Sequence, residues 1–223
     1  AVVGTWLGQA TISPGSINAI FDNTSDTGIH ALLKTPPATR NVMCALGIQA
    51  GPAQGDPVFI GQFRQDDYVA DPAATPNAVT MKFSATAADA TTLAYDQPWG
   101  VLLHANTAST TDNTAIGVDL VALGFGTSDS STDGGYMMYQ VTAGAAAGGT
   151  AAIIVQHATT NEDGNFVTLL SSGNIDVGTA PVSGIVALAK TAAVDQFVRW
   201  QVAFGTATSV TFLLAFVRGK SNA

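Results

Sequence analysis

Hydrophobic residues in the last part of the chain come in short runs that are separated by polar residues and glycines. Runs of this length, rich in Val, Phe and other β-forming residues, are typical of β-strands. The segments between them are rich in Gly, Asp, Asn and Ser, which favour turns. We therefore predict that residues 115–223 form an all-β domain, a β-sandwich or jelly roll. The predicted strands are AIGVDLVAL, GYMMYQVTA, AAIIVQHA, NFVTLL, GIVALAK, QFVRWQVAF and SVTFLLAFVRG.

Residues 1–105 combine short strands with long turns, and they contain one helix signal. AVTMKFSATA alternates apolar and polar residues as a strand does, and INAIFD is a second strand candidate. The turn-forming segment GPAQGDP lies between two apolar runs and predicts a hairpin. The segment GIHALLK shows helical spacing of its apolar residues, so we predict one short helix there. The small polar residues 106–114 are predicted to link this domain to residues 115–223.

Charged residues account for only 11% of the chain, and the formal net charge is −8. Soluble domains contain roughly 25% charged residues, and a free monomer normally carries a charged coat. We therefore predict that part of this surface is covered in a homo-oligomer. The 8 Lys and Arg residues form no basic patch, so specific nucleic-acid binding is not expected. No apolar run is long enough to span a bilayer, and no membrane association is predicted.

Residues that can carry catalytic or metal chemistry are few and far apart. His30, His104 and His157 fall in different predicted elements, without a carboxylate or cysteine at metal-ligand spacing. We expect each to be structural or on the surface, although one of them can meet an Asp in the folded chain. Cys44 lies in the apolar run NVMCALGI, which favours a buried thiol. No nucleophile elbow or phosphate-binding loop occurs, so we predict no catalytic residue, metal or cofactor, and no enzyme.

Acidic residues cluster in two places. Asp66, Asp67 and Asp71 lie in one predicted strand, and we expect them to face solvent, since the loop motif of an EF-hand calcium site is absent. The segment NEDGN is interpreted as a turn in which Asp163-Gly164 supplies the left-handed residue.

The segment SSTDGGYMMYQVTAGAAAGGTAAIIVQHATTNEDGNFVTLL resembles the carboxy-terminal domain of major tail (tail tube) proteins of siphophages. The matching residues of this segment are Gly134, Gly135, Val141, Thr142, Ala143, Val155, Gln156 and His157, with Phe166 where the family usually has Trp. The closing segment is similar to the family's ending at Phe197, Arg199, Trp200, Phe212, Ala215, Phe216 and Arg218. The segment GTWLGQATISPGSINAIFDNTSDTGIHALLK is similar to a strand pair and short helix of such proteins.

The resemblance implies a tail-tube-like β domain followed by the β-sandwich or jelly-roll domain. It also implies a virion protein assembled in stacked rings, whose partners are other copies and other virion proteins. The first domain would form the ring wall, and Asp66, Asp67 and Asp71 would face solvent or a lumen through which DNA passes. Family members begin with further strands, so we expect either a missing amino-terminal segment or a shortened domain with another role, such as capsid decoration.

Candidate interface residues are the apolar and aromatic side chains Trp6, Phe59, Phe63, Tyr68 and Trp99, although core burial explains each of them equally well.

A carbohydrate-binding module carried by a virion is the alternative from another functional class. Its sugar contacts would be made by Tyr136, Tyr139 or Trp200.

Overall fold

A computed structural model of the chain describes residues 15–20, 34–35, 38–46, 51–71, 78–85, 99–112, 117–126, 130–145 and 148–219. The chain divides into two compact units, each made of two separate stretches. The first unit comprises Ala1–Arg40 and Gln62–Asp89, and the second comprises Asn41–Gly61 and Ala90–Ala223.

Regular structure in the described ranges consists of strands and two 3₁₀ turns, at Asp163–Asn165 and Val177–Thr179, which confirms the all-β prediction. The predicted helix lies outside those ranges except for its last residue, Lys34. The strands are β1 (Gly15–Ile20), β2 (Ala38–Ala45), β3 (Pro57–Asp71), β4 (Ala78–Ala85), β5 (Trp99–Ser109), β6 (Val118–Asp119), β7 (Ser130–Ser131), β8 (Gly135–Ala145), β9 (Thr150–Ala158), β10 (Val167–Ser171), β11 (Ile175–Asp176), β12 (Val182–Ala187), β13 (Val194–Asp195), β14 (Phe197–Phe204) and β15 (Ser209–Arg218).

The first unit contains antiparallel pairs that the sequence pattern anticipated. The alternating segment AVTMKFSATA forms β4, which pairs with β1 on one side and with β3 on the other. The register of β3 against β4 shifts between Gln65 and Asp67, so β3 has one extra residue there. Such a bulge bends the strand and changes which side chains are exposed.

Two antiparallel sheets of the second unit share one core. The first sheet runs in the order β5-β15-β8-β12, and the second runs in the order β10-β9-β14-β6. Residues of both sheets meet in a single cluster, which we call the inner core. Its members include Leu103, Met137 and Phe216 from the first sheet and Val155 and Val202 from the second, all 0% exposed.

Strand β8 is buried on both faces, because a second cluster covers the side of its sheet opposite the inner core. Tyr136 and Met138 alternate with inner-core residues and pack with Val58 and Ile60 of β3 in this outer core. The hairpin that supplies Val58 was predicted from GPAQGDP and is confirmed by the pairing of β2 with β3. Residues 41–61 therefore belong to the second unit, although the sequence analysis assigned them to the first domain.

The predicted linker 106–114 does not separate the two units. Its first residues, up to Ser109, belong to β5 and pair with β15. Threonine and other small polar residues are compatible with a strand when the neighbouring strand supplies hydrogen bonds, so a polar composition alone did not distinguish strand from linker.

Within the described part of the predicted strand AIGVDLVAL, residues 117–123, only the two-residue β6 is a strand. The carboxylate of Asp119 accepts hydrogen bonds from the backbone N–H groups of Val121 and Ala122, at 2.9 and 3.0 Å. These bonds hold the backbone in a turn, as Asp side chains commonly do. The apolar residues that follow Asp119 therefore leave the sheet.

Candidate functional site

Two of the five candidate interface residues lie side by side near an accessible surface. Phe59 and Trp99 are register partners on β3 and β5, and their ring centroids are 5.4 Å apart in an edge-to-face arrangement. Trp99 is 43% exposed. Of the other three candidates, Phe63 is completely buried, Tyr68 is half-buried and Trp6 lies outside the described residues.

Two of the three acidic residues of β3, Asp66 and Asp67, lie at its bulge. Asp66 is exposed and has Arg64 Nε at 3.7 Å, while the Asp67 carboxylate accepts the backbone N–H of Tyr68 at 2.8 Å. Asp71 is the last residue of the strand. The extra residue in β3 separates Asp66 from the register of β4, which leaves its carboxylate in solvent.

The proposed sugar contacts do not form an exposed platform. Tyr136 is 0% exposed and Tyr139 is 8% exposed, and burial raises the pKa of the Tyr139 phenol. Gly184 pairs with Tyr139, and a Cβ at that glycine would lie 2.5 Å from the phenol oxygen. The rings are covered by the protein itself, so both tyrosines are corrected from glycan contacts to core residues. Trp200 is half-buried against the inner core.

The loop between β9 and β10 is held to the second sheet by Arg199. This side chain is 4% exposed, and its guanidinium donates to Gln156 Oε1 at 2.8 Å and to the Asp163 carboxylate. It also lies 4.3 Å from the centroid of the Phe166 ring, a cation–π geometry. Several residues that carry the family resemblance are therefore parts of one structural contact. Gly164 lies in the 3₁₀ turn without a left-handed backbone, so that detail of the NEDGN prediction was wrong.

Asn161 provides a second attachment of the same loop. Its amide accepts from the backbone N–H of Gly117 at 2.6 Å and donates to the carbonyl oxygen of that residue at 3.2 Å. A Cβ at Gly117 would lie 2.7 Å from the Phe166 ring. The loop therefore requires glycine at position 117 and a side-chain amide at position 161.

His104 is the one histidine of the described part that packs against inner-core residues, and a bulge in β5 decides its direction. In β5 the partner of Ala215 is Leu102 and the partner of Leu214 is His104, so Leu103 is an extra residue. Leu103 and His104 consequently both turn toward the inner core. Without the extra residue, His104 would share the outer face with Leu102.

The ring of His104 is enclosed by aromatic groups. It stacks on Phe212 with centroids 3.9 Å apart and meets Trp200 edge-to-face at 4.5 Å. His104 Nδ1 lies 3.0 Å from the Phe212 carbonyl oxygen, which can only accept, so Nδ1 carries a proton. Nε2 has the Thr107 hydroxyl at 3.5 Å. Burial lowers the pKa of the imidazole, while the carbonyl oxygens of Phe212 and Ala105 act in the opposite direction.

Polar side chains meet across β15 beside this histidine. The register of β8 against β15 shifts between Thr211 and Phe212, so Thr142 is an extra residue in β8. The Thr142 hydroxyl lies 2.7 Å from Asn106 Oδ1 and 3.3 Å from the Thr211 carbonyl oxygen, and can donate to either. Asn106 and Thr142 are exposed, so their hydrogen bond lies at the surface of the protein.

His157 meets the aspartate that the sequence analysis allowed for. Its Nδ1 lies 2.9 Å from the Asp195 carboxylate and 3.2 Å from the Asp195 backbone nitrogen. The pair connects β9 to β13. A neutral ring can accept the backbone N–H there, and a protonated ring can donate to the carboxylate.

Among the described residues, other chemical groups give no further site. Within the described ranges, no three His, Cys, Asp or Glu side chains converge in a way that could hold a metal ion. Cys44 is half-buried rather than buried, and burial raises the pKa of its thiol. In the part of the chain that the structure describes, no helix has the length and apolar character needed to cross a membrane.

The sequence analysis did not predict the contacts of His104. A signal was available in the run VLLH, where apolar residues continue without alternation and indicate a strand buried on both faces. A search against models of known protein families found no match, and a search against curated proteins found none either.

Proposed function

We propose that the chain is a structural protein of a bacteriophage virion, a subunit of a tail tube that assembles in stacked rings. The observation that carries the proposal is the position of the residues that resemble the tail-tube family. Val141, Val155, Trp200 and Phe212 lie on four different strands and all pack in or against the inner core. The resemblance thus involves residues that build one domain together, and a shared domain accounts for it.

The surface of the chain supports an assembled state. With 11% charged residues, the chain has little of the charged coat that keeps monomers apart. Trp99 is 43% exposed and is supported from one side by Phe59, so its ring is held in place before any partner arrives. Tryptophan anchors of this kind are enriched at the energetic centres of protein interfaces. We assign Trp99 to a contact between subunits.

The acidic character of the chain supports a further part of the proposal, namely that DNA passes beside the protein without being bound by it. The net charge is −8, and the bulge of β3 presents Asp66 to solvent. Carboxylates repel phosphate groups, so a surface of this kind lets DNA pass.

Electron microscopy of the purified chain at high concentration tests the proposal, and we expect stacked rings or tubes. Trp99→Ser should weaken the subunit contact by about 2 kcal/mol, roughly a thirtyfold loss of affinity, because it removes an interface anchor. Leu123→Ser is the matched control, since Leu123 is also 43% exposed. Circular dichroism establishes that both variants keep the fold. Monomers at all concentrations would contradict an assembly function.

A capsid decoration protein is the second candidate, because an exposed Trp99 and a weakly charged surface serve attachment to a capsid equally well. Mixing the chain with capsids that lack decoration distinguishes the two. Knobs on capsids without rings in solution would favour decoration. The carbohydrate-binding alternative loses two of its three contact residues, Tyr136 and Tyr139, to the core.

A further inference from the structure

The imidazole ring of His104 packs against the inner core and can take up a proton. Among its described contacts, no carboxylate compensates the charge of the protonated ring. His104 is 7% exposed, and the groups that enclose it are the rings of Phe212 and Trp200. Aromatic faces and backbone carbonyls accommodate a neutral imidazole well. A full positive charge at the same place loses most of its hydration.

The strands around His104 carry no negative side chain. The sequences of β5, β8, β14 and β15 contain neither Asp nor Glu. Their cations are directed elsewhere: Arg199 donates to Asp163, and Arg218 donates to Ser131 and to the Val194 carbonyl oxygen. The titratable groups on β8 are tyrosine phenols, which remain neutral at acidic pH.

The neutral ring, in contrast, has a partner for each nitrogen. Nδ1–H donates to the Phe212 carbonyl oxygen, and Nε2 faces the Thr107 hydroxyl. That hydroxyl also lies 3.4 Å from the Ala105 carbonyl oxygen. On protonation of Nε2 it can turn to accept from the ring and donate to Ala105. The second hydrogen bond can therefore be rearranged, but the added charge stays without a counter-charge.

We propose that His104 is an acid-responsive switch, in which protonation places an uncompensated charge between the two sheets and loosens the packing of β5 against β14. The switch belongs to the second unit alone and does not depend on the proposed function. Because the pKa of His104 is lowered from 6.5 in the folded chain, the unfolded chain takes up the proton first as the pH falls. The free energy of unfolding therefore has its full value above pH 6.5, and it decreases as the pH falls from 6.5 to the folded-state pKa of His104.

Urea unfolding between pH 8 and pH 4.5 measures this loss. A difference of one bound proton between the folded and the unfolded chain changes the folding equilibrium constant by up to tenfold per pH unit. We expect such a decrease below pH 6.5 in the natural chain and its removal in His104→Gln, whose amide can still donate to Phe212 but does not titrate. His157→Gln is the matched control and should keep the decrease. An equal pH dependence in the natural chain and His104→Gln would overturn the proposal.

A local measurement keeps the test decisive if His104→Gln does not fold. In a Trp6→Phe/Trp99→Phe chain, Trp200 is the remaining tryptophan of the original 3. Its fluorescence should change with a midpoint below pH 6.5. The imidazole C–H resonance of His104 should shift with the same midpoint. In nuclear magnetic resonance spectra, this resonance is identified as the one that remains in both His30→Gln and His157→Gln. A midpoint of that resonance at or above pH 6.5, or a Trp200 signal without any change down to pH 4.5, would exclude the switch.

Discussion

His104 and Arg199 are both polar side chains buried in the second unit, and both lie against a phenylalanine ring. His104 is 7% exposed and stacks on Phe212, while Arg199 is 4% exposed and lies over Phe166. They differ in whether a group of opposite charge lies beside the side chain. Arg199 reaches the carboxylate of Asp163, which is itself exposed, whereas the described contacts of His104 are rings, carbonyls and a hydroxyl.

This difference shows that burial alone does not determine how a polar residue affects stability. Arg199 remains charged at all relevant pH values, so its site has to supply an anion and hydrogen bonds. His104 can lose its charge, so an aromatic site is sufficient while it stays neutral. The first arrangement compensates the charge that it holds, and the second becomes unfavourable when the ring is protonated.

The largest expected effect comes from removing the ring beneath His104. Phe212 is 0% exposed, so Phe212→Ala should lower the free energy of unfolding by about 3–5 kcal/mol, measured by urea denaturation at pH 7.5. The opened site should admit water to the His104 ring, so the loss of stability at acidic pH should become smaller. Val167→Ala, at a 57% exposed residue, is the control and should change stability by about 0.5 kcal/mol or less. Comparable effects of the two substitutions would disprove the enclosed site.

Arg199→Ala tests the compensated site. We expect a loss of about 1–3 kcal/mol, because Gln156 is buried and loses the donor to its side-chain oxygen, while Asp163 is exposed and can be hydrated. The control is Arg64→Ala, whose pair with Asp66 is exposed on both sides and should contribute at most about 0.5 kcal/mol. In contrast to His104 variants, Arg199→Ala should leave the pH dependence between 8 and 5 unchanged.

The smallest effect should come from Asp195→Asn, which makes the surroundings of His157 more similar to those of His104. The carboxylate that lies 2.9 Å from His157 Nδ1 is then replaced by a neutral amide. The substitution exchanges a carboxylate for an amide between two partly buried side chains, so we expect about 0.5–1 kcal/mol of destabilisation. Urea denaturation at pH 7.5 measures it. An unchanged free energy of unfolding would show that this contact contributes nothing to stability.

Much of the fold could be predicted from local patterns. The strands β4, β9, β14 and β15 follow from apolar runs and alternation, and the hairpin of β2 and β3 follows from GPAQGDP. The failures occurred where side chains bond to the backbone or where composition was ambiguous. Asp119 ended a predicted strand by accepting two backbone N–H groups, and residues up to Ser109 were polar yet paired with β15.

Candidate sites were predicted less well, because residue type does not specify exposure. Tyr136 and Tyr139 are suitable for sugar stacking by type, but β8 is covered on both faces. Trp99, of the same chemical class, is 43% exposed. Only the packing of other elements distinguishes the three residues.

The sequence by itself determined the all-β class, the low charge and the positions of most strands, since these depend on composition and on the two-residue period of a strand. Only the tertiary structure decided that residues 41–61 cover the second unit and that His104 faces the inner core. The physical reason is that an extra residue such as Leu103 reverses the face of the residues that follow it until the next register shift, and its effect depends on the register of a strand more than a hundred residues away, β15.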